Sequence, residues 1–169
     1  MPPSRILGIG SGIGTDAAAF AAMGHTVVGV EPVDELRRAR IDLHPSSQIE
    51  WIDDSLPDLA ILHSKSETFD VVMLTAVWMH LGVEQRRRAM PIVNSLVSEG
   101  GVLVMSLRHG PVPQGRRMFE VSADETIELA SIQGLQPVLN LRTQSIQKAN
   151  RDLGATWTRL ALGKGRETR

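Results

Sequence analysis

The feature that most constrains this chain is a change of texture within residues 5–31. A short apolar run, Ile6-Leu7-Gly8-Ile9, stops at Gly10-Ser11-Gly12-Ile13-Gly14, where glycine holds every second position. An alanine-rich segment, Thr15–Met23, follows and is closed by Gly24; a second apolar run, Thr26–Val30, ends at Glu31. The order is strand, tight turn, helix, strand. Two strands joined through a helix pair in parallel, so this is a βαβ unit. Glycine in the turn permits positive φ and close approach of a ligand to the backbone. Amides at the start of the following helix present partial positive charge to that ligand. A carboxylate ending the second strand suits hydrogen bonds from ribose hydroxyls.

The rest of the chain continues the alternation. Strands are expected at Arg5–Ile9, His25–Val30, Gln48–Ile52, Phe69–Thr75, Val102–Leu107, Pro137–Thr143 and Thr156–Leu162. Helices are expected at Thr15–Met23, Val33–Leu43, Glu84–Ser98 and from Ser122 to about Gln133, with a little helix or turn in Leu56–His63. Asp34 and Glu35 open the second helix and Arg37, Arg38 and Arg40 follow, an order that complements the helix dipole. The run Phe69–Thr75 is apolar enough to be buried on both faces of a parallel sheet. Pro91 predicts a kink or a later start for its helix. Ser122 and Glu125 read as a capping box, and Gly134 as a stop. The alternation predicts a mostly parallel sheet covered by helices. The last two strands lack a helix between them and are expected to pair antiparallel; the polar stretch Gln144–Gly154 reads as their hairpin connection. One domain over 1–169 is expected, with its core in 5–162 and a charged tail at 163–169 that frays.

Composition sets limits on the chemistry. At 169 residues and 42% hydrophobic content, the chain can bury a proper core. A net charge of −1 carries no nucleic-acid footprint. Cysteine is absent, which excludes disulfides, thiolate metal sites and a cysteine nucleophile. Tyrosine is absent too, which removes the acid that a short-chain dehydrogenase needs. No apolar run reaches the roughly 18 residues of a membrane span, and the N-terminus has no signal-peptide core. A cytoplasmic protein, monomer or homodimer, without bound metal, nucleic acid or membrane, is therefore expected.

The glycine spacing narrows the ligand. A dinucleotide loop needs G-x-G-x-x-G, but the last position falls on Ile13 counting from Gly8 and on Thr15 counting from Gly10. No G-K-[ST] follows either, so the phosphate devices are missing. Five features in order resemble a class I S-adenosylmethionine-dependent methyltransferase: the loop Gly10–Gly14; Glu31; Asp53-Asp54-Ser55-Leu56-Pro57; Phe69–Val72 leading into Thr75–Leu81; and Glu99-Gly100-Gly101 before the fifth strand. The resemblance covers Ile6 to about Leu162. It implies a three-layer Rossmann-like α/β sandwich, with a seven-stranded, mostly parallel sheet and an antiparallel last strand. It also implies S-adenosyl-L-methionine as cofactor and S-adenosyl-L-homocysteine as product.

Carried over by position, the resemblance puts Gly8, Gly10, Ser11, Gly12 and Gly14 beside the methionine and ribose. It puts Glu31 on the ribose hydroxyls with Pro32 next to it. Asp54 and Ser55 meet the adenine edge, with Asp53 as competitor. Thr75, Ala76 and Val77 lie under the sulfonium. Trp78, His80 and Arg108 face the acceptor, a small molecule, although Trp78 reads equally well as packing. His80 and His109 are the histidines beside strand ends of the expected site and are candidate general bases. Arg108 is a candidate clamp for a carboxylate or phosphate. His80, Arg108 and His109 thus form the candidate catalytic set.

Gly8 departs from the family, which usually carries an acid there to help hold the amino-acid end of the cofactor. The first strand also begins about five residues in, where many relatives have helices that close over the cofactor. The alternative to a methyl-transferring enzyme is therefore a methyltransferase-like binding module without turnover. A nicotinamide oxidoreductase is a third reading, weakened by the missing phosphate fingerprint.

Overall fold

The computed structural model describes residues 2–166. Its strands are β1 (Arg5–Ile9), β2 (Thr26–Val30), β3 (Ile49–Ile52), β4 (Phe69–Thr75), β5 (Val97–His109), β6 (Leu135–Gln144) and β7 (Thr156–Lys164). Its helices are α1 (Thr15–Ala22), α2 (Asp34–Leu43), α3 (Ala60–Lys65), α4 (Val83–Leu96), α5 (Ala123–Ile132) and α6 (Lys148–Asp152), with a 3₁₀ turn at Trp78–His80. They form one seven-stranded sheet in the order β3-β2-β1-β4-β5-β7-β6. Strands β1 to β5 run parallel to one another. β7 runs antiparallel to both β5 and β6, between which it is inserted. The expected sandwich is the observed one.

Alternation along the strands divides the core. Leu7, Val28, Val72, Leu74, Leu103 and Leu162 turn to one face and pack with Leu62, Ala89, Val93 and Ala130 from α3, α4 and α5 in one buried cluster. On the other face Val27 and Ile49 pack with Ala17 and Phe20 of α1 and with Trp51. Arg40 of α2 lies 4.2 Å over the Trp51 ring. On that same face, Val71 and Met73 of β4 and Val102 and Val104 of β5 are only partly buried.

Three local outcomes differ from the sequence expectation. α4 does not start later than expected: it runs from Val83 through Pro91 to Leu96. Proline lacks one donor, and Pro91 sits on the exposed side of the helix, where water can take up the carbonyl left unpaired. β5 starts directly at Val97; its register with β4 jumps from Phe69↔Val97 to Val71↔Val102, so the expected turn at 99–101 is a bulge within the strand. The connection 145–155 contains α6 rather than only a hairpin loop. Of the expected charged tail, Lys164 is anchored, its Nζ donating to the Asn94 and Val97 carbonyls at 3.0 and 2.8 Å; 167–169 lie outside the described residues.

The loops at the carboxyl ends of the parallel strands are tied down by side chains. Arg86 of α4, 1% exposed, donates to the Leu81 carbonyl at 2.6 Å and to both carboxylate oxygens of Glu125 at 3.0 Å. It also reaches the Glu120 carbonyl at 3.3 Å, which fixes the end of the long 110–121 loop. Among the described residues no helix is long and apolar enough to cross a membrane.

Candidate functional site

The glycine loop leaves β1 at Ile9 and delivers the chain to α1 at Thr15. Two of its glycines answer different demands. At Gly10, φ is +69° and a Cβ would come within 2.6 Å of Val77, so a side chain there would push the loop off the end of β4. At Gly12, φ is +56° and a Cβ would meet nothing within 4 Å, so the demand is conformational and the space beside it is open. Ser11 fastens the loop to β2: its amide donates to the Val30 carbonyl at 2.9 Å, and its hydroxyl donates to that same carbonyl at 3.2 Å. The hydroxyl in turn accepts from Arg40 at 3.2 Å. Burial pushes the Arg40 guanidinium down to about 10, against the opposing pull of nearby Glu31.

Glu31 is 6% exposed and points back at the loop. Oε2 accepts from the Gly12 amide at 2.9 Å, and Oε1 accepts from the Val33 amide at 3.1 Å. Each carboxylate oxygen has more than one acceptor site, so further donors can bind. The wall of a cavity of about 460 Å³ contains Gly10, Glu31, Pro32, Asp54, Ser55, Thr75, Ala76 and Val77, together with His80. Eight positions expected at the cofactor thus share one hollow. A second cavity of about 280 Å³ adjoins it through Ile9, Gly10 and Thr75 and brings in Gly8, Ser11 and Gly12. Thr15 and Asp16 of α1 also line it.

Two of the expected positions line neither hollow. Asp53 is exposed and pairs with Arg37 at 2.7 Å. Gly14 is buried below the loop, where a Cβ would lie 2.6 Å from the Trp51 ring. Asp54 does line the larger hollow, but its carboxylate is already engaged. One oxygen accepts from Ser55 at 2.9 Å, and the other accepts from the Ile61 and Leu62 amides at 3.0 Å, capping α3.

Ala76 is the point where the spaces meet. It has φ +56°, unusual for a residue with a Cβ, and its amide donates to the Ser106 hydroxyl at 2.9 Å. Ala76 and His80 also line a further cavity of about 340 Å³. Its other walls include Arg108, Arg116, Met118 and Trp157, and Gln147 and Asn150 from the β6–β7 connection. His80 Nδ1 lies 3.1 Å from the Arg117 carbonyl. A carbonyl only accepts, so in the neutral ring the proton sits on Nδ1 and Nε2 keeps its lone pair.

His109 is not brought to this junction. It lines a separate cavity of about 640 Å³, beside the loop after β5, with Val121, Ser122 and Thr158. Its Nδ1 donates to the Val121 carbonyl at 3.0 Å and its Nε2 accepts from the Thr158 hydroxyl at 2.7 Å. Burial, then the charge of Arg142, hold its pKa below the usual histidine value. Both nitrogens are occupied, so the ring serves as a brace between β5, β7 and the loop. Trp78 is also corrected: it is fully buried in the main core and lines none of these cavities, because the 3₁₀ turn rotates it inward. Sequence reasoning did not find Asp16, Gln147 and Asn150. Asp16 shows only as an acid in a helical first turn, and the other two sit in a polar stretch with no pattern.

A protein-family model described as "Methyltransferase domain" matches residues 7–105 of the chain. An uncharacterized methyltransferase of Alkaliphilus oremlandii (strain OhILAs) is 27% identical over 100 residues, which are 59% of this chain and 44% of that protein. The match thus spans less than half the length of that relative. The 1,6-didemethyltoxoflavin-N1-methyltransferase of Burkholderia thailandensis, crystallised with 1,6-didemethyltoxoflavin and S-adenosylhomocysteine, superposes with a TM-score of 0.77 at 18% identity, covering 96% of this chain and 72% of that one. The magnesium protoporphyrin IX methyltransferase of Synechocystis PCC 6803, solved with bound SAM, gives 0.75 at 15% identity, covering 97% and 71%. At these identities the two structures share the fold with this chain.

Proposed function

The chain belongs to the methyltransferase domain family, and from that premise we propose that it transfers a methyl group from S-adenosylmethionine to a small-molecule acceptor. The observation that carries this reading is the hollow between the glycine loop and the end of β4, with buried Glu31 in its wall. Its residues fit the cofactor: a two-lobed space around Gly10, an open flank at Gly12, and carboxylate oxygens with acceptor sites to spare for a ribose diol. When bound, S-adenosylmethionine supplies a methyl group made electrophilic by the adjacent sulfonium charge.

The protein's own part is placement. Glu31 accepts from ribose hydroxyls while keeping the Gly12 and Val33 amides, so one carboxylate both shapes the loop and reads the ligand. Leu56 and the backbone after Asp54 wall the adenine end. Ala76 and His80 stand between the cofactor hollow, which Thr75 also lines, and the acceptor cavity, and a side chain longer than a methyl at 76 would narrow the space there. His80, whose free Nε2 follows from its bond to Arg117, takes up the proton of an O–H or N–H acceptor. Alignment of acceptor and methyl supplies most of the rate, because the reacting carbon is already activated.

A second reading is favoured by Gly8: without an acid at that position the chain is a binding module with no turnover. Calorimetric titration with S-adenosylmethionine and S-adenosylhomocysteine, followed by screening for methyl release, separates the two. Absence of heat at millimolar ligand removes both; binding without transfer to any small-molecule acceptor leaves the module.

A further inference from the structure

Among the described residues three arginines are buried, and two of them have a carboxylate or an aromatic ring beside them. Arg86 is closed by Glu125. Arg40 lies over Trp51 with Glu31 nearby and its Nη1 donates to Ser11, although its Nε and Nη2 have no hydrogen-bond acceptor. Arg108, 7% exposed, has neither kind of partner. Its Nη1 donates to the Pro111 carbonyl at 2.7 Å, and its Nη2 is buried without a hydrogen-bond acceptor. No carboxylate among the described residues comes within ion-pair distance of it, although Glu120 and Asp124 line the larger cavity that it also borders. A buried cation left unpaired is unfavourable unless something else supplies the counter-charge.

The 340 Å³ cavity beside Ala76 and His80 is where that charge can enter. Arg108 and the exposed Arg116 both line it, and among the described residues no aspartate or glutamate does. Its remaining walls divide into apolar surfaces from Met79, Met118 and Trp157 and the amides of Gln147 and Asn150. A guanidinium fork matches the two oxygens of a carboxylate or phosphate group. Flat apolar walls match a ring or short hydrocarbon body, and the volume admits a molecule of that size and little more.

We propose that the methyl acceptor is a small organic oxyanion, with an apolar body against Met118 and Trp157 and its carboxylate or phosphate group on Arg108. Arg116 adds charge at the mouth. This identity for the acceptor rests on the methyltransferase reading, because it assigns the cavity that adjoins the cofactor hollow. The oxyanion is a handle and not the nucleophile: held at Arg108, it leaves the other end of the molecule toward Ala76 and His80, where the methyl and the proton are exchanged.

The test uses the whole chain and two matched pairs of probes, benzoate against benzamide and phenyl phosphate against benzyl alcohol. Each is titrated with and without saturating S-adenosylhomocysteine. The anions are expected to bind about 10–100-fold more tightly than their neutral counterparts, the range of a charge-assisted hydrogen bond. The benzoate arm against the phenyl phosphate arm shows which oxyanion is preferred. Arg108→Met should abolish the preference, leave S-adenosylhomocysteine affinity unchanged, and melt at or above the parent temperature, because an unpaired buried cation is gone. Arg116→Gln, at an exposed position, should reduce the preference by a few-fold, and added salt should erase that part first. Equal binding of benzoate and benzamide, a preference that survives Arg108→Met, or a marked fall in melting temperature for that variant overturns the proposal. Failure of S-adenosylhomocysteine to bind overturns the methyltransferase reading instead, and the anion pairs report independently of it.

Discussion

Replacing Glu31 by glutamine tests the link between loop and ligand at one atom. Both carboxylate oxygens accept from backbone amides, Gly12 at 2.9 Å and Val33 at 3.1 Å. A glutamine has one oxygen and one NH₂ group. Whichever way it is turned, one backbone N–H then faces a donor, at a residue only 6% exposed, where water has little room to substitute. Losing one hydrogen bond to a charged acceptor costs about 1.5–3 kcal/mol. For a domain of this length that lowers the melting temperature by roughly 3–12 °C, at 2–4 °C per kcal/mol. The variant also loses an acceptor for the ribose diol and the fixed position of Gly12, so affinity for S-adenosylhomocysteine should fall by about tenfold or more. Arg40 should become harder to keep charged, since Glu31, ahead of Asp53, opposes the effect of its burial. Differential scanning calorimetry and isothermal titration measure the two effects. A Glu31→Gln protein that melts within 1 °C of the parent (about the precision of such a comparison) and binds the ligand equally well refutes the reasoning.

Three further outcomes are expected. Gly8→Asp should fold, because the nearest side-chain atom to a Cβ there, on Ser11, is at 3.7 Å; it should tighten S-adenosylhomocysteine binding by about tenfold if the missing carboxylate is the weak point, and titration showing no gain counts against that account. Ala76→Gly should match the parent's stability or exceed it by up to about 1 kcal/mol in urea unfolding, since left-handed backbone costs a residue with a Cβ about 1–2 kcal/mol and glycine gives back part of this in unfolded-chain entropy; a clear loss of stability would mean that the Ala76 methyl is needed for packing. For pH, the folded His109 holds a lowered pKa and the unfolded one takes its proton near 6.5. Its contribution to stability is therefore full above about pH 6.5 and is lost as pH falls through the lowered folded value. The urea midpoint should drop between pH 7 and 5, and less steeply in His109→Gln; parallel curves for the two proteins contradict the brace.

What the sequence made legible was local. The loop Gly10–Gly14 and Glu31 stand within one βαβ unit, so spacing alone brings them together, and β1 and β4 are found at their expected limits. The β5-β7-β6 order was not legible, because inserting β7 depends on pairings more than fifty residues apart, such as Leu103↔Leu162 and Val104↔Ala161 with β5. Trp78 misled because it follows a strand end, where ligands gather, and a single 3₁₀ turn decides whether it points to the site or the core. His109 misled for the same reason: the position is near the expected edge, but Val121 and Thr158 take both nitrogens. The isolation of Arg108 is a fact about what surrounds it, and no spacing encodes that.

Amide hydrogen exchange with and without S-adenosylhomocysteine tests the central claim most directly. The account predicts slowed exchange at Gly10–Gly14, at Val33 beside Glu31, and at Ala76 and Val77, with the amides around His109 and Val121 unchanged. Unaltered exchange across the glycine loop at saturating ligand, or protection confined to the cavity beside His109, would contradict it.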